Sequence, residues 1–167
     1  MLNAQTLLHE AHALMAASLD KQRVEIVLEP GPDVFVTADA AHLKQVLINL
    51  IRNAAEAIDA AGRVTLRART GRVALNRRDC DTVILEVSDT GRGIAPEIEK
   101  RLFDPFFSTK ETGTGLGLSI AARIVEKHGG ALQYQTRVGH GTTFGIVLPQ
   151  APSPEKPVVA NAAPAPT

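Results

Sequence analysis

Gly113-Thr114-Gly115-Leu116-Gly117-Leu118 alternates glycine with larger residues and runs straight into a helical pattern over 116–128, closed by Gly129-Gly130. Glycine at every second position lets backbone approach a ligand closely, and the free N–H groups at a helix start face an anion. A flexible hinge would use the glycines but would not need a helix start in phase with them. No G-x-x-x-x-G-K-[ST] segment occurs in the chain, so phosphate would have to be held in some way other than a P-loop. Just upstream, Lys110 of Ser108-Thr109-Lys110 can meet a terminal phosphate as a point charge, or stand solvated in a loop.

Two further stretches carry compatible chemistry. Residues 82–87 read as a buried strand that leads into Asp89-Thr90-Gly91-Arg92-Gly93-Ile94. A carboxylate there can accept a hydrogen bond from an exocyclic amine such as that of adenine, and the glycines let backbone lie against a flat ring. A plain strand-to-turn connection uses the same D-x-G wording. Earlier, Asn49-Leu50-Ile51-Arg52-Asn53-Ala54 lies on a helix with the apolar face Leu43, Val46, Leu47, Leu50, Ile51, Ala54, Ala57 and Ile58. His42, Gln45, Asn49, Asn53 and Glu56 form a polar stripe beside that face. Asn53, at its edge, can offer an amide oxygen to Mg²⁺, which takes few protein ligands and fills its octahedron with phosphate and water. Asparagines one turn apart also occur on helices that only face solvent.

The remaining pattern sets the fold class. Helical spacing of Leu7, Leu8, Ala11, Leu14 and Met15 predicts a helix over 4–19. Strands are expected at 24–28 and 34–36, separated by the turn Glu29-Pro30-Gly31-Pro32. Asp39 caps the amide-bearing helix and Gly62 ends it. Residues 63–69 alternate as a strand, 70–81 form a polar excursion read as a hairpin, and 95–102 form a helix with Pro96 at its start. Residues 103–114 read as a loop. Strands at 131–136 and 142–148 flank a Gly139-His140-Gly141 turn. Short interleaved strands with hairpin-like pairs indicate an α/β two-layer sandwich, one mixed sheet with helices on one face, and not a doubly wound fold. After Pro149 the chain turns rich in Pro and Ala, so 1–149 is expected as the globular domain and 150–167 as a linker or disordered tail.

Composition narrows the function classes. Hydrophobic content is 44% with no Trp and 4% aromatics, so the core is aliphatic. Formal net charge is zero, which supplies no global field to gather nucleic acid or anionic membrane. Cys80 is the single cysteine, which excludes an internal disulfide and a cysteine metal cluster and leaves it as a packing or loop residue. No apolar run reaches membrane-spanning length and no signal peptide opens the chain, so a cytoplasmic setting is expected.

Together these residues resemble the catalytic and ATP-binding domain of bacterial sensor histidine kinases, in the GHKL superfamily. Residues 49–54 match that family's N box, 89–94 its first glycine box and Phe103-Asp104-Pro105-Phe106-Phe107 its F box. Residues 113–118 match its second glycine box, and Gly141-Thr142-Thr143-Phe144 its closing strand. Any one motif is weak, but five in order, spanning about 4–149, are specific. The wording of residues 52–57 and the short lid are similar to the nitrogen-regulation and oxygen-sensing branch.

The resemblance implies a Bergerat fold, with ATP between sheet and helices under a mobile lid. It implies that Asn53 coordinates Mg²⁺, that Asn49 supports the phosphates and that Lys110 pairs with the terminal one. Asp89 would bind the adenine amino group, with Gly91, Gly93 and Ile94 at the base and Thr142 in a water bridge to it. Gly113, Thr114, Gly115, Leu116, Gly117 and Leu118 would wrap the phosphates. Phe103, Phe106 and Phe107 would anchor the lid or meet dimerisation helices. The implied activity is transfer of the γ-phosphoryl group of Mg-ATP to a histidine on a dimerisation domain outside this chain, with a response-regulator receiver as an indirect partner. Alone, the domain is expected to bind ATP, not to autophosphorylate, and to be a monomer.

The chain departs from the family pattern in two places. Many members carry Lys, Arg or His three residues after the magnesium-binding asparagine, whereas here it is Glu56, which moves the charge burden to Lys110 with Arg52. His9-Glu10-Ala11-His12 lacks the proline of the family's phosphoacceptor motif and is one residue short of H-E-x-x-H, so both histidines are expected as ordinary helix residues. Two rivals share the pocket. ATPases that act as conformational clamps place a catalytic Glu where Asn49 stands, and an amide cannot take a proton. A serine kinase of the anti-sigma type would lack the F box.

Overall fold

A computed structural model describes residues 1–106 and 117–154. Helix α1, Ala4–Asp20, starts at Asn3, whose side chain accepts from the Thr6 amide. It buries Ala4, Leu7, Leu8, Ala11, Met15 and Leu19. Leu14, expected in this stripe, is 58% exposed. The buried seam steps by four from Ala11 to Met15 to Leu19, and Leu14 lies at its edge, three residues from Ala11, where it lines an open cavity with Lys44 and Ile48. His12 ties α1 to the sheet by a 3.1 Å contact to the Ile26 carbonyl.

Helix α2, Ala40–Glu56, is capped by Asp39, which accepts from the His42 amide, and carries the most deeply buried apolar face of the domain. It stops at Glu56, well before Gly62, which instead opens a strand. The reason is tertiary: the Ala57 carbonyl accepts from the Arg92 amide at 3.0 Å, so the next helical turn loses its acceptor. Helix α3 is a single turn, Pro96–Glu99, shorter than the expected 95–102, because the chain tightens beyond it into i→i−3 turns, the Arg101 and Leu102 amides donating to the Ile98 and Glu99 carbonyls. Helix α4, Gly117–Lys127, ends near the start of α2: the His128 ring bridges the Ile124 carbonyl and the Asp39 amide.

The strands are β1 (Leu2–Asn3), β2 (Val24–Leu28), β3 (Phe35–Val36), β4 (Gly62–Leu75), β5 (Arg78–Asp89), β6 (Ala131–Arg137) and β7 (Gly141–Ala151). They form one sheet in the order β1-β3-β7-β5-β4-β2, with β6 also on β7. β2 runs parallel to β4 and the other pairs are antiparallel, so the sheet is mixed as expected. Side chains of α1, α2 and α4 share one core with Val64, Leu66, Val83, Leu85, Val87, Phe144, Ile146 and Leu148.

The polar excursion is a hairpin, and β4 and β5 run its whole length to a two-residue turn. Asn76 and Arg77 both have positive φ, 50° and 65°, the twist that suits a tight antiparallel connection. Cys80 lies on β5 over Val73, a packing position. β7 continues past Pro149 to Ala151, where Gln150 and Ala151 pair with Val36 and Phe35. The anticipated boundary after residue 149 therefore falls inside a strand.

On the other face of the sheet, Glu86 is 7% exposed and is held by Arg67 and by Arg69 Nε at 2.7 Å. Burial raises the Glu86 pKa, but the hydrogen bonds and charges of the two arginines outweigh it, and the carboxyl ionises below its ordinary 4.5. A depressed carboxyl stabilises the fold above its unfolded pKa, and that stability is lost as pH falls through the folded value. Glu86→Gln is expected to cost roughly 1–2 kcal/mol at neutral pH, because both arginines are half-exposed and the ion pairs are partly screened. The deficit should vanish in acid, as chemical denaturation across a pH series would record.

Candidate functional site

The first glycine loop leaves β5 at Asp89 and is clamped on both sides. The Thr90 amide donates to the Arg63 carbonyl, and Thr90 Oγ1 accepts from the Arg63 amide. Gly91 packs on the end of α2, where a Cβ would stand 2.4 Å from the Ala57 carbonyl oxygen. Arg92 holds the same helix end through the Glu56 carbonyl at 3.3 Å and Asp59 at 3.0 Å. On the other side the Gly139 amide donates to the Arg92 carbonyl at 2.8 Å. Gly93 has φ +73°, with space for a Cβ closed by the Arg137 carbonyl. Here glycine is required by both conformation and contact.

This clamp fixes the carboxylate. Asp89 Oδ1 accepts from the Gly91 amide at 2.8 Å and the Thr142 amide at 3.3 Å. Both bonds fall on one oxygen, so among the described residues Oδ2 is left to accept from a ligand. Burial raises the Asp89 pKa above the ordinary 3.8, opposed by the two amides and by Arg92. A second set of bonds links the same strands: Thr136 Oγ1 accepts from the Ile94 amide at 2.8 Å and lies 2.8 Å from Thr142 Oγ1. Asp89, Gly91, Gly93, Ile94 and Thr142 thus lie in one connected cluster.

The amide helix meets the start of α4 at Asn49 and Gly117. A Cβ on Gly117 would lie 2.7 Å from Asn49 Oδ1 and 3.0 Å from Nδ2, so glycine there makes room for the amide. Among the described residues Asn49 Nδ2 is buried without a hydrogen-bond partner, a costly state unless a ligand oxygen completes it. Asn53 is half-buried one turn on. Leu118 is half-buried against the core. Lys110, Gly113, Thr114, Gly115 and Leu116, together with Phe107, lie outside the described residues.

The phenylalanines divide. Phe103 packs on Tyr134, which stacks on Phe144, with ring centroids 5.8 and 5.7 Å apart. Phe106 is 77% exposed. Sequence reasoning missed three residues that build the site: Thr136, Arg92 and Tyr134. Thr136 and Tyr134 were legible as inward positions of an alternating strand, and Arg92 as the only non-glycine between Gly91 and Gly93.

The comparisons with known proteins bear on this geometry. Residues 38–152 match the family described as histidine kinase-, DNA gyrase B-, and HSP90-like ATPase, a span that contains the whole cluster. The chain belongs to this family. Its relatives include the sensor kinase CckA of Brucella abortus (strain 2308), 39% identical over 160 residues, covering 90% of this chain and 17% of that protein. The sensor protein FixL of Bradyrhizobium diazoefficiens is 42% identical over 148 residues, covering 87% of this chain and 28% of that protein. The chain therefore spans less than a third of either relative. Among solved structures, the catalytic domain of the histidine kinase ThkA superposes with a TM-score of 0.74 at 33% identity, covering 89% of this chain and 93% of that one. Full-length ShkA in complex with AMPPNP gives 0.75 at 31% identity, covering 91% and 31%. The fold is that of histidine kinase catalytic domains, an α/β sandwich, and the chain is an ATP-binding catalytic domain of the kind carried by sensor histidine kinases. Among the described residues no helix is long and apolar enough to cross a membrane.

Proposed function

We propose that this domain binds Mg-ATP and passes the γ-phosphoryl group to a histidine on a dimerisation domain of the same signalling protein. The observation that carries the reading is the Asp89 carboxylate, half-buried, satisfied on Oδ1 by two backbone amides and open on Oδ2 to an exocyclic amine. Ile94 and the glycine backbone would line the base, and Thr142, joined to Thr136, would hold a water beside it. Asn49 Nδ2 and the first amides of α4 would meet phosphate oxygens. Asn53 would offer its oxygen to Mg²⁺, which when bound neutralises charge on the transferring group. In the transfer, the γ-phosphorus bond to its bridging oxygen breaks as a bond to the acceptor imidazole nitrogen forms. ADP leaves with the electron pair and the imidazole sheds its N–H proton.

A hydrolytic clamp reading is disfavoured by Asn49, a hydrogen-bond donor where water activation would need a base. The test is titration of ATP with and without Mg²⁺, followed by mixing with the parent protein's dimerisation domain and γ-labelled ATP. Saturable binding and label on the dimerisation domain, with none on this chain alone, are expected. Steady hydrolysis without transfer would replace this reading with the clamp.

Binding should also follow pH in one direction. The amine needs the ionised carboxylate, and burial lifts the Asp89 pKa. ATP affinity should therefore fall as pH drops through a range above 3.8, and in Asp89→Asn that acid dependence should be absent from the titrations.

A further inference from the structure

A triphosphate carries about four negative charges, and Mg²⁺ with two neutral amides leaves it negative. Three residues beyond Asn53, on the same helix, stands Glu56, an anion that cannot supply the missing charge. A cation does stand on that helix. Arg52 lines a cavity of about 530 Å³ that also includes Asn49 and Gly117, where α2 meets the start of α4. Its floor is apolar, with Ile48 and Ala121, which strengthens any charge contact made over it. Lys44, the other cation of the cavity, is held by Glu10 at 2.7 Å. Arg52 has no ionic or hydrogen-bonded partner among the described residues, and its spacing of three from Asn49 sets the two side chains on neighbouring turns.

We propose that Arg52 reads the terminal phosphate of the nucleotide, so that the domain distinguishes nucleoside triphosphate from diphosphate through this guanidinium. The inference rests on the nucleotide reading above and adds to it the residue that recognises the γ-phosphate. A guanidinium fork can take two phosphate oxygens together, a geometry open to Arg but not to Lys. Both Arg52 and Asn49 line this one cavity, so both would reach the same anionic end of the ligand.

The experiment is titration of this chain with ATP and with ADP, each with Mg²⁺, for wild type, Arg52→Gln and Arg52→Lys. For Arg52→Gln, ATP affinity should fall about tenfold, the equivalent of one charge-assisted contact in a half-open site. ADP affinity should change less than about twofold, so the preference for ATP collapses. Arg52→Lys should recover part of that preference. Equal losses for both nucleotides, or no loss for either, would overturn the assignment of Arg52 while leaving the nucleotide site standing. Failure of the wild type to bind either nucleotide would instead remove the reading on which it rests.

Discussion

Asp89→Asn should weaken ATP binding about a hundredfold while leaving the unliganded domain folded and somewhat more stable. The amide oxygen of Asn can still accept from Gly91 and Thr142. Its NH₂ group then points where Oδ2 stood, donor against the donor of the adenine amine. Loss of a charge-assisted bond with an unpaired donor left in place amounts to roughly 3 kcal/mol. The stability change has the opposite sign. A half-buried carboxyl with a raised pKa favours the protonated fold, so its ionised form weakens the native state at neutral pH, and removing the charge relieves that. Calorimetric titration and thermal melting on the same pair of proteins would check both halves. A mutant that binds ATP like wild type would show that the carboxylate does not touch the base. A mutant that melts early would show that the charge is structural.

Gly141→Ala is expected to damage both fold and site. Gly141 has φ +101°, and a Cβ would stand 2.0 Å from the Asp89 carbonyl oxygen and 3.3 Å from its Oδ1. The backbone must move, and the nearest part able to yield is the end of β5 that carries the carboxylate. Strain and displacement together should cost about 3 kcal/mol or more, a fall in melting temperature of about 10 °C for a domain of this size. Gly139→Ala is the matching control: φ is +81°, but no atom lies within 4 Å of the added carbon. It should lose only the conformational part, about 1–2 kcal/mol. Similar losses at the two positions would show that contact with Asp89 plays no part.

Element types were legible wherever side-chain period was decisive. The seam Leu43, Val46, Leu47, Leu50, Ile51 marked α2, and the alternation of residues 63–69 marked the first half of β4. Ends set by distant contacts were not. Nothing near Glu56 signals that α2 stops there; the signal is the Arg92 amide, far along the chain, taking the Ala57 carbonyl. Leu14 was misplaced because a single apolar residue can sit on either side of a seam at that spacing. The two-residue strand β1 carries too few residues to show a period, whereas β3 was marked by Val34-Phe35-Val36 after its turn. At the site, the carboxylate and its glycines could be read from type and spacing. The Thr142 amide on Oδ1, and the orphaned Nδ2 of Asn49, depend on the meeting of β5 with β7 and of α2 with α4.

Leu2, Val36 and Gln150 sit abreast in one row of the sheet, in β1, β3 and β7. Two strand spacings separate Leu2 from Gln150, roughly 10 Å. A pull applied between these two points would be borne by this small corner and would bypass β5, the glycine clamp and α4. The same arrangement makes it transplantable: spliced through residues 2 and 151 into a surface turn of an unrelated host, it should fold without either partner opening its sheet.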